Sequence, residues 1–131
     1  MKGLDTNVLV RYLTQDDPSQ ARKANAVVDR ALAGGDRIHI DTVVLCELVW
    51  VLRSAYGYDR ATVAGTLTKL IEAGQLSVDD RDRLREASHR YAVGRGDFAD
   101  YVLALRSQSA GCDTTLTFDR AHRKSELFTV M

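Results

Sequence analysis

Four short apolar segments, separated by longer stretches with helical signals, restrict the fold of this 131-residue chain more than any other feature. They are the N-terminal residues up to Leu4, Arg37 to Ile40, Thr114 to Phe118, and Leu127 to Val130. Segments of about four or five residues lie near the short end of strand lengths. Strands that alternate with helices need crossover connections. The expected class is therefore α/β, with a small parallel β-sheet of four to five short strands sandwiched between α-helices. The stretch Asp41 to Leu105 carries little strand signal and is expected to be a helical insertion.

Glycines and aspartates punctuate that alternation. Gly34-Gly35, Gly57, Gly74, Gly94 with Gly96, and Gly111 fall where periodic segments end, as helix stops do. Asp17 stands before the single proline, Pro18, and Asp41, Asp59, Asp79 and Asp97 each precede an amphipathic or apolar run, the place of a helix cap. The length is that of one domain, residues 1–131, around one hydrophobic core. Hydrophobic residues at 45% and charged ones at 27% exclude a disordered or collagen-like chain.

The 18 Lys and Arg balance the 18 Asp and Glu, so whole-molecule attraction to a polyanion is weak and any such site must be local. Cys46 and Cys112 belong to no CxxC or Cys/His ligand pattern, which points to buried thiols in a reducing compartment. No apolar run reaches the roughly 18 to 20 residues that span a bilayer, and Asp5 comes too early for a secretory segment. A cytoplasmic chain without a membrane partner is expected. His39, His89 and His122 show no ligand spacing and are expected to be structural or surface residues.

Four acids stand out against this background. Asp5 ends the first strand candidate and precedes the helix-like Thr6 to Leu13; the carboxyl end of a parallel strand is a ligand position, but a helix cap explains Asp5 equally well. Glu47 is the one charged residue in the run Val43 to Leu52. A helix apolar on all faces is expected to be buried, and an ionised carboxylate there must be paired or metal-bound unless it lies on a narrow solvent stripe. In Gly96-Asp97-Phe98-Ala99-Asp100, Asp97 is the better cap, whereas Asp100 lies on the helix itself. Asp119 follows the strand candidate Thr114 to Phe118, so Asp5 and Asp119 would end neighbouring strands of one sheet. Carboxylates packed together repel, and a cluster of the four is stable at neutral pH mainly around a cation. With no histidine adjoining the acids in sequence, oxygen ligands select magnesium or manganese over zinc.

At this point the residues resemble a known family. Leu-Asp-Thr-Asn-Val-Leu-Val-Arg-Tyr-Leu from Leu4, Thr-Val-Val-Leu-Cys-Glu-Leu-Val-Trp-Val-Leu from Thr42, Gly-Asp-Phe-Ala-Asp-Tyr from Gly96 and Leu-Thr-Phe-Asp-Arg from Leu116 resemble the successive motifs of PIN-domain ribonucleases, closest to the VapC toxins of bacterial toxin-antitoxin pairs. The resemblance implies a PIN-like fold, with Asp5, Glu47 and Asp100 as catalytic, metal-holding acids and Asp119 as the fourth. Asp97 matches a frequent family acid that also caps. Thr6 and Asn7 occupy small polar positions after the first acid; Thr6 could orient Asp5 or a metal-bound water, and Thr117 could do the same beside Asp119. The implied activity is a Mg2+- or Mn2+-dependent endoribonuclease that cuts tRNA or ribosomal RNA until a VapB-like antitoxin blocks it.

Candidate phosphate contacts are Arg11, Arg95, Arg120, Arg123 and Lys124, each near one of the acids in sequence and each otherwise a solvated surface residue. Val63, Leu67, Leu70 and Ile71 form a stripe at helical spacing; core packing explains it, but the resemblance also implies a homodimer that clasps antitoxin. Phosphatases of the haloacid dehalogenase type also open with an aspartate after the first strand, but they need a second aspartate where this chain has Asn7. The remaining alternative is a catalytically inactive PIN-like module that binds RNA or a partner, its acids serving as caps.

Overall fold

The computed structural model describes residues 1–131, which form two compact units, Met1–Asp79 and Asp80–Met131. In the first, strands β1 (Lys2–Gly3), β2 (Ile38–Ile40) and β3 (Leu76–Val78) make a parallel sheet in that order. Helices α1 (Thr6–Thr14) and α2 (Pro18–Ala33) form the first crossover, and α3 (Thr42–Ser54) and α4 (Arg60–Glu72) the second. Parallel neighbours require such connections, because a tight turn cannot return the chain to the same end of the sheet. Helix α1 packs on α2 and α3, and α3 on α4. Ile38, Ile40, Leu45, Leu48, Val63, Leu67 and Ile71 are almost wholly buried. The stripe Val63, Leu67, Leu70 and Ile71 is thus core, and a partner surface is not what it provides.

Local chemistry sets the helix ends. Asp17 accepts from the Gln20 N–H with Pro18 in the first turn, and Asp41 and Asp59 cap α3 and α4 through the N–H groups of Val43 and Thr62. A side-chain network ties α1 to the segments beside it. Arg11 donates to Gln20 Oε1 at 2.7 Å, to the Tyr56 hydroxyl at 2.9 Å and to Asp16, while Tyr56 and Thr14 both donate to the Asp16 carboxylate. Those hydroxyl donors, with the Arg11 charge, hold the Asp16 carboxyl below its ordinary value.

The second unit holds α5 (Arg81–Val93), α6 (Phe98–Ser109), a two-stranded parallel sheet of β4 (Thr115–Thr117) and β5 (Phe128–Val130), and a 3₁₀ turn, Arg120–His122, on the crossover between them. Helices α5 and α6 pack together, with Leu84, Tyr91, Phe98 and Tyr101 buried. The cap of α5 is Asp80 rather than the expected Asp79, in a left-handed conformation (φ 41°) that aspartate tolerates better than most residues.

Further expectations are corrected. Strand β3 lies inside the stretch expected to be helical; Leu76-Ser77-Val78 is too short to show alternation, and only pairing with β2 makes it a strand. The five strands form two hydrogen-bonded parallel sheets, β1-β2-β3 in the first unit and β4-β5 in the second. Neither cysteine forms a disulfide, but the thiols are not buried: Cys46 is half-buried and Cys112 exposed. No helix is long and apolar enough to cross a membrane.

Candidate metal centre

Helix α6 starts at a turn built from two acids. Asp97 is its N-cap, and Asp100, one turn on, accepts the Asp97 N–H through Oδ2 at 3.3 Å, closing a capping box. Capping boxes satisfy amide donors that the first turn leaves unpaired. Here the box also fixes the direction of the Asp100 carboxylate. The same Oδ2 accepts from His122 Nε2 at 2.9 Å.

His122, at the end of the 3₁₀ turn, is only 1% exposed. Its ring stacks on Phe128 with centroids 3.9 Å apart and meets Tyr101 edge-on. Gly96 makes room for it, since a Cβ at that position would collide with the imidazole. The Gly96 N–H donates to the Tyr101 hydroxyl at 3.0 Å, so the packing is closed on both sides. The hydrogen-bond network assigns the ring hydrogen to Nε2. In that tautomer Nδ1, buried without a partner, carries a lone pair rather than a stranded N–H.

Asp119 caps the turn. Its Oδ1 accepts from the Ala121 N–H at 2.9 Å, and its own N–H donates to Thr117 Oγ1 at 3.0 Å. Its Oδ2 stands 4.0 Å from His122 Nε2. One ligand atom from each of Asp100, Asp119 and His122 lies within 4.8 Å of the other two. The side chains of the two acids are 36% and 54% exposed, so solvent reaches both carboxylates while the imidazole backs them from inside. This donor set fits a hard divalent cation held by carboxylate oxygens, with His122 orienting a ligand as outer-shell partners do.

The sequence showed no histidine beside the acids, and that expectation is corrected here. His122 follows Asp119 by three residues, and a 3₁₀ turn brings such positions together. Nothing in the sequence announces that turn or the contact with Asp100, 22 residues away.

Asp5, Thr6, Asn7 and Glu47 belong to the first unit. Asp5 caps α1, its Oδ1 accepting from the Thr6 N–H at 2.8 Å, and the buried Thr6 hydroxyl has no partner. Asn7 is exposed. Glu47 is exposed too, against the expectation of burial. Val43, at 58% exposure, and Trp50, at 50%, share its face at helical spacing, so one side of α3 opens to solvent although most of that side is apolar.

Of the cations near the acids, Arg11 is engaged by Asp16, Gln20 and Tyr56. Arg95, Arg120, Arg123 and Lys124 are exposed and line one pocket of about 320 Å³ in the second unit.

Residues 3–126 match the PIN domain family, through both units. Over 130 residues the chain is 23% identical to a VapC ribonuclease of Aquifex aeolicus (strain VF5), covering 99% of this chain and 96% of that one. No solved structure matches it significantly.

Proposed function

Because the chain belongs to the PIN domain family, we propose that it is a metal-dependent endoribonuclease toxin that hydrolyses phosphodiester bonds of tRNA or ribosomal RNA. The similarity to a protein named VapC ribonuclease supports the same reading. The proposal includes a VapB-like antitoxin as the neutralising partner, a homodimer and a cytoplasmic location.

The observation that carries the proposal is how the acids use their oxygens. Asp5 and Asp119 each commit Oδ1 to a backbone N–H, and Asp100 commits Oδ2 to His122 and the Asp97 N–H. Each is thereby oriented, with its second oxygen free of any protein donor. Glu47 has neither a hydrogen bond nor an ion pair and is open to solvent. Carboxylates held this way can serve as cap and metal ligand at once.

Magnesium or manganese would be held by Asp100 and Asp119 of the second unit, and Asp5 and Glu47 are proposed as the catalytic acids of the first. When bound, such an ion acidifies a coordinated water and offsets charge on the phosphodiester. The residues of the chain fix ligand direction: His122 and the capping box hold Asp100, and Thr117 holds the backbone of Asp119.

The same caps favour a second reading. Asp5, Asp97 and Asp119 are all helix or turn caps, and a noncatalytic module that binds RNA or a partner would keep them for that reason alone. One experiment separates the two. Purified chain free of antitoxin is incubated with total bacterial RNA in magnesium or manganese, in EDTA, and as the Asp5→Asn variant. Discrete cuts that need metal and are lost in the variant establish the nuclease. Folded protein that cuts no RNA under any of these conditions establishes the binding module instead.

A further inference from the structure

We propose that the pocket of about 320 Å³ beside the 3₁₀ turn is a phosphate site that grips the RNA strand away from the scissile bond; the inference rests on the ribonuclease reading above. Its lining includes Arg90, Arg95, Arg120, Arg123 and Lys124 against the single acid Glu126, five positive charges to one negative. That acid is already occupied. Arg90 pairs with Glu126 at 2.8 Å and with Glu86 at 3.1 Å, and the pairing holds the Glu126 carboxyl below its ordinary value.

Arg95, Arg120, Arg123 and Lys124 have no carboxylate partner. In a chain whose formal charges sum to zero, four unpaired cations around one concavity are a local excess whose mutual repulsion an anion relieves. Guanidinium groups match phosphate oxygens in pairs, which favours phosphate over a simple halide or a lone carboxylate. A volume at the low end of ligand sites suits one phosphodiester with its sugar.

Position selects RNA as the source of that phosphate. The 3₁₀ turn and the residues after it alternate between the two functions: Asp119 and His122 belong to the carboxylate centre, and Arg120, Arg123 and Lys124 to the pocket. A strand engaged at the acids therefore meets cations within the same few residues of backbone. Phosphate contacts of this kind set register without reading bases, so the pocket positions RNA and leaves specificity to other groups.

The test is equilibrium binding of a fluorescein-labelled single-stranded oligoribonucleotide to the full chain in EDTA, where no cleavage occurs, over a range of salt concentrations. For single strands each phosphate contact contributes a slope of about −0.7 to log K against log[salt]. Arg123→Gln and Lys124→Gln should each make the slope shallower by about 0.7 and weaken binding roughly fivefold at 0.1 M salt. Arg22→Gln and Lys23→Gln, exposed cations on α2 outside the pocket, should leave the slope as it is. Both pocket positions are exposed, so neither substitution touches the core. An unchanged slope in the pocket variants overturns the proposal, as does an equal loss in the α2 variants. Because the assay needs no cleavage, a chain that binds through the pocket yet cuts nothing would refute the nuclease alone.

Discussion

His122 shows how one side chain couples packing to chemistry. Its donor holds Asp100, its ring fills space against Phe128 and Tyr101, and Gly96 exists at a position where no side chain fits. Replacing His122 with Phe keeps an aromatic ring but removes the donor, and manganese affinity, read by isothermal titration calorimetry, should fall about 10- to 100-fold. His122→Gln supplies an amide donor and should recover part of that loss; equal losses in the two variants would mean that the ring matters only for packing. Gly96→Ala forces a methyl into the imidazole, and overpacking of this kind costs about 1–3 kcal/mol, visible as a lower Tm. At this scale the sequence exposes the acids, because Asp5 and Asp119 end short apolar runs, Glu47 is the one charge inside another, and Asp100 opens the run that follows it. It hides His122, whose importance comes from a contact across 22 residues.

Among the elements, α1 and α3 carry the clearest consequences. Asp16, at the end of α1, has its carboxyl held below the ordinary 3.8 by the hydroxyls of Tyr56 and Thr14 and by Arg11. A carboxyl depressed on folding stabilises the native state above its unfolded value and loses that effect as pH falls through the folded one. The Tm of the wild type should therefore drop as pH is lowered through 3.8 and below it, with a smaller drop in Asp16→Asn. Identical pH profiles would show that the network contributes nothing to stability. In α3, Leu48 is fully buried, and Leu48→Ala should destabilise by about 2–5 kcal/mol in urea unfolding. The helix limits are legible from Asp17, Asp41, Asp59 and Asp97, since capping is a local interaction. Strand β3 is not, because three residues acquire strand character only from β2 alongside.

For the whole molecule, metal binding links the site to stability. A cation bound only by the native chain stabilises it by about 2.7 kcal/mol at 100 times its Kd. Manganese should thus raise Tm relative to EDTA, and the rise should vanish in Asp100→Asn; a rise that persists in the variant would place the cation elsewhere. Several properties follow from the sequence by itself: an α/β chain with parallel strands, capped helices at identified aspartates, four acids in or beside apolar runs, and a resemblance to PIN-domain ribonucleases that the family match bears out. These depend on neighbours within a few residues, or on patterns repeated along the chain. Tertiary structure alone decided that Glu47 is exposed, that the strands divide into two sheets, that His122 stands behind Asp100 and Asp119, and that Arg95 joins Arg120, Arg123 and Lys124 around one pocket. Burial, pairing and charge clustering are properties of segments brought together in space, and the order of residues along the chain does not contain them in local form.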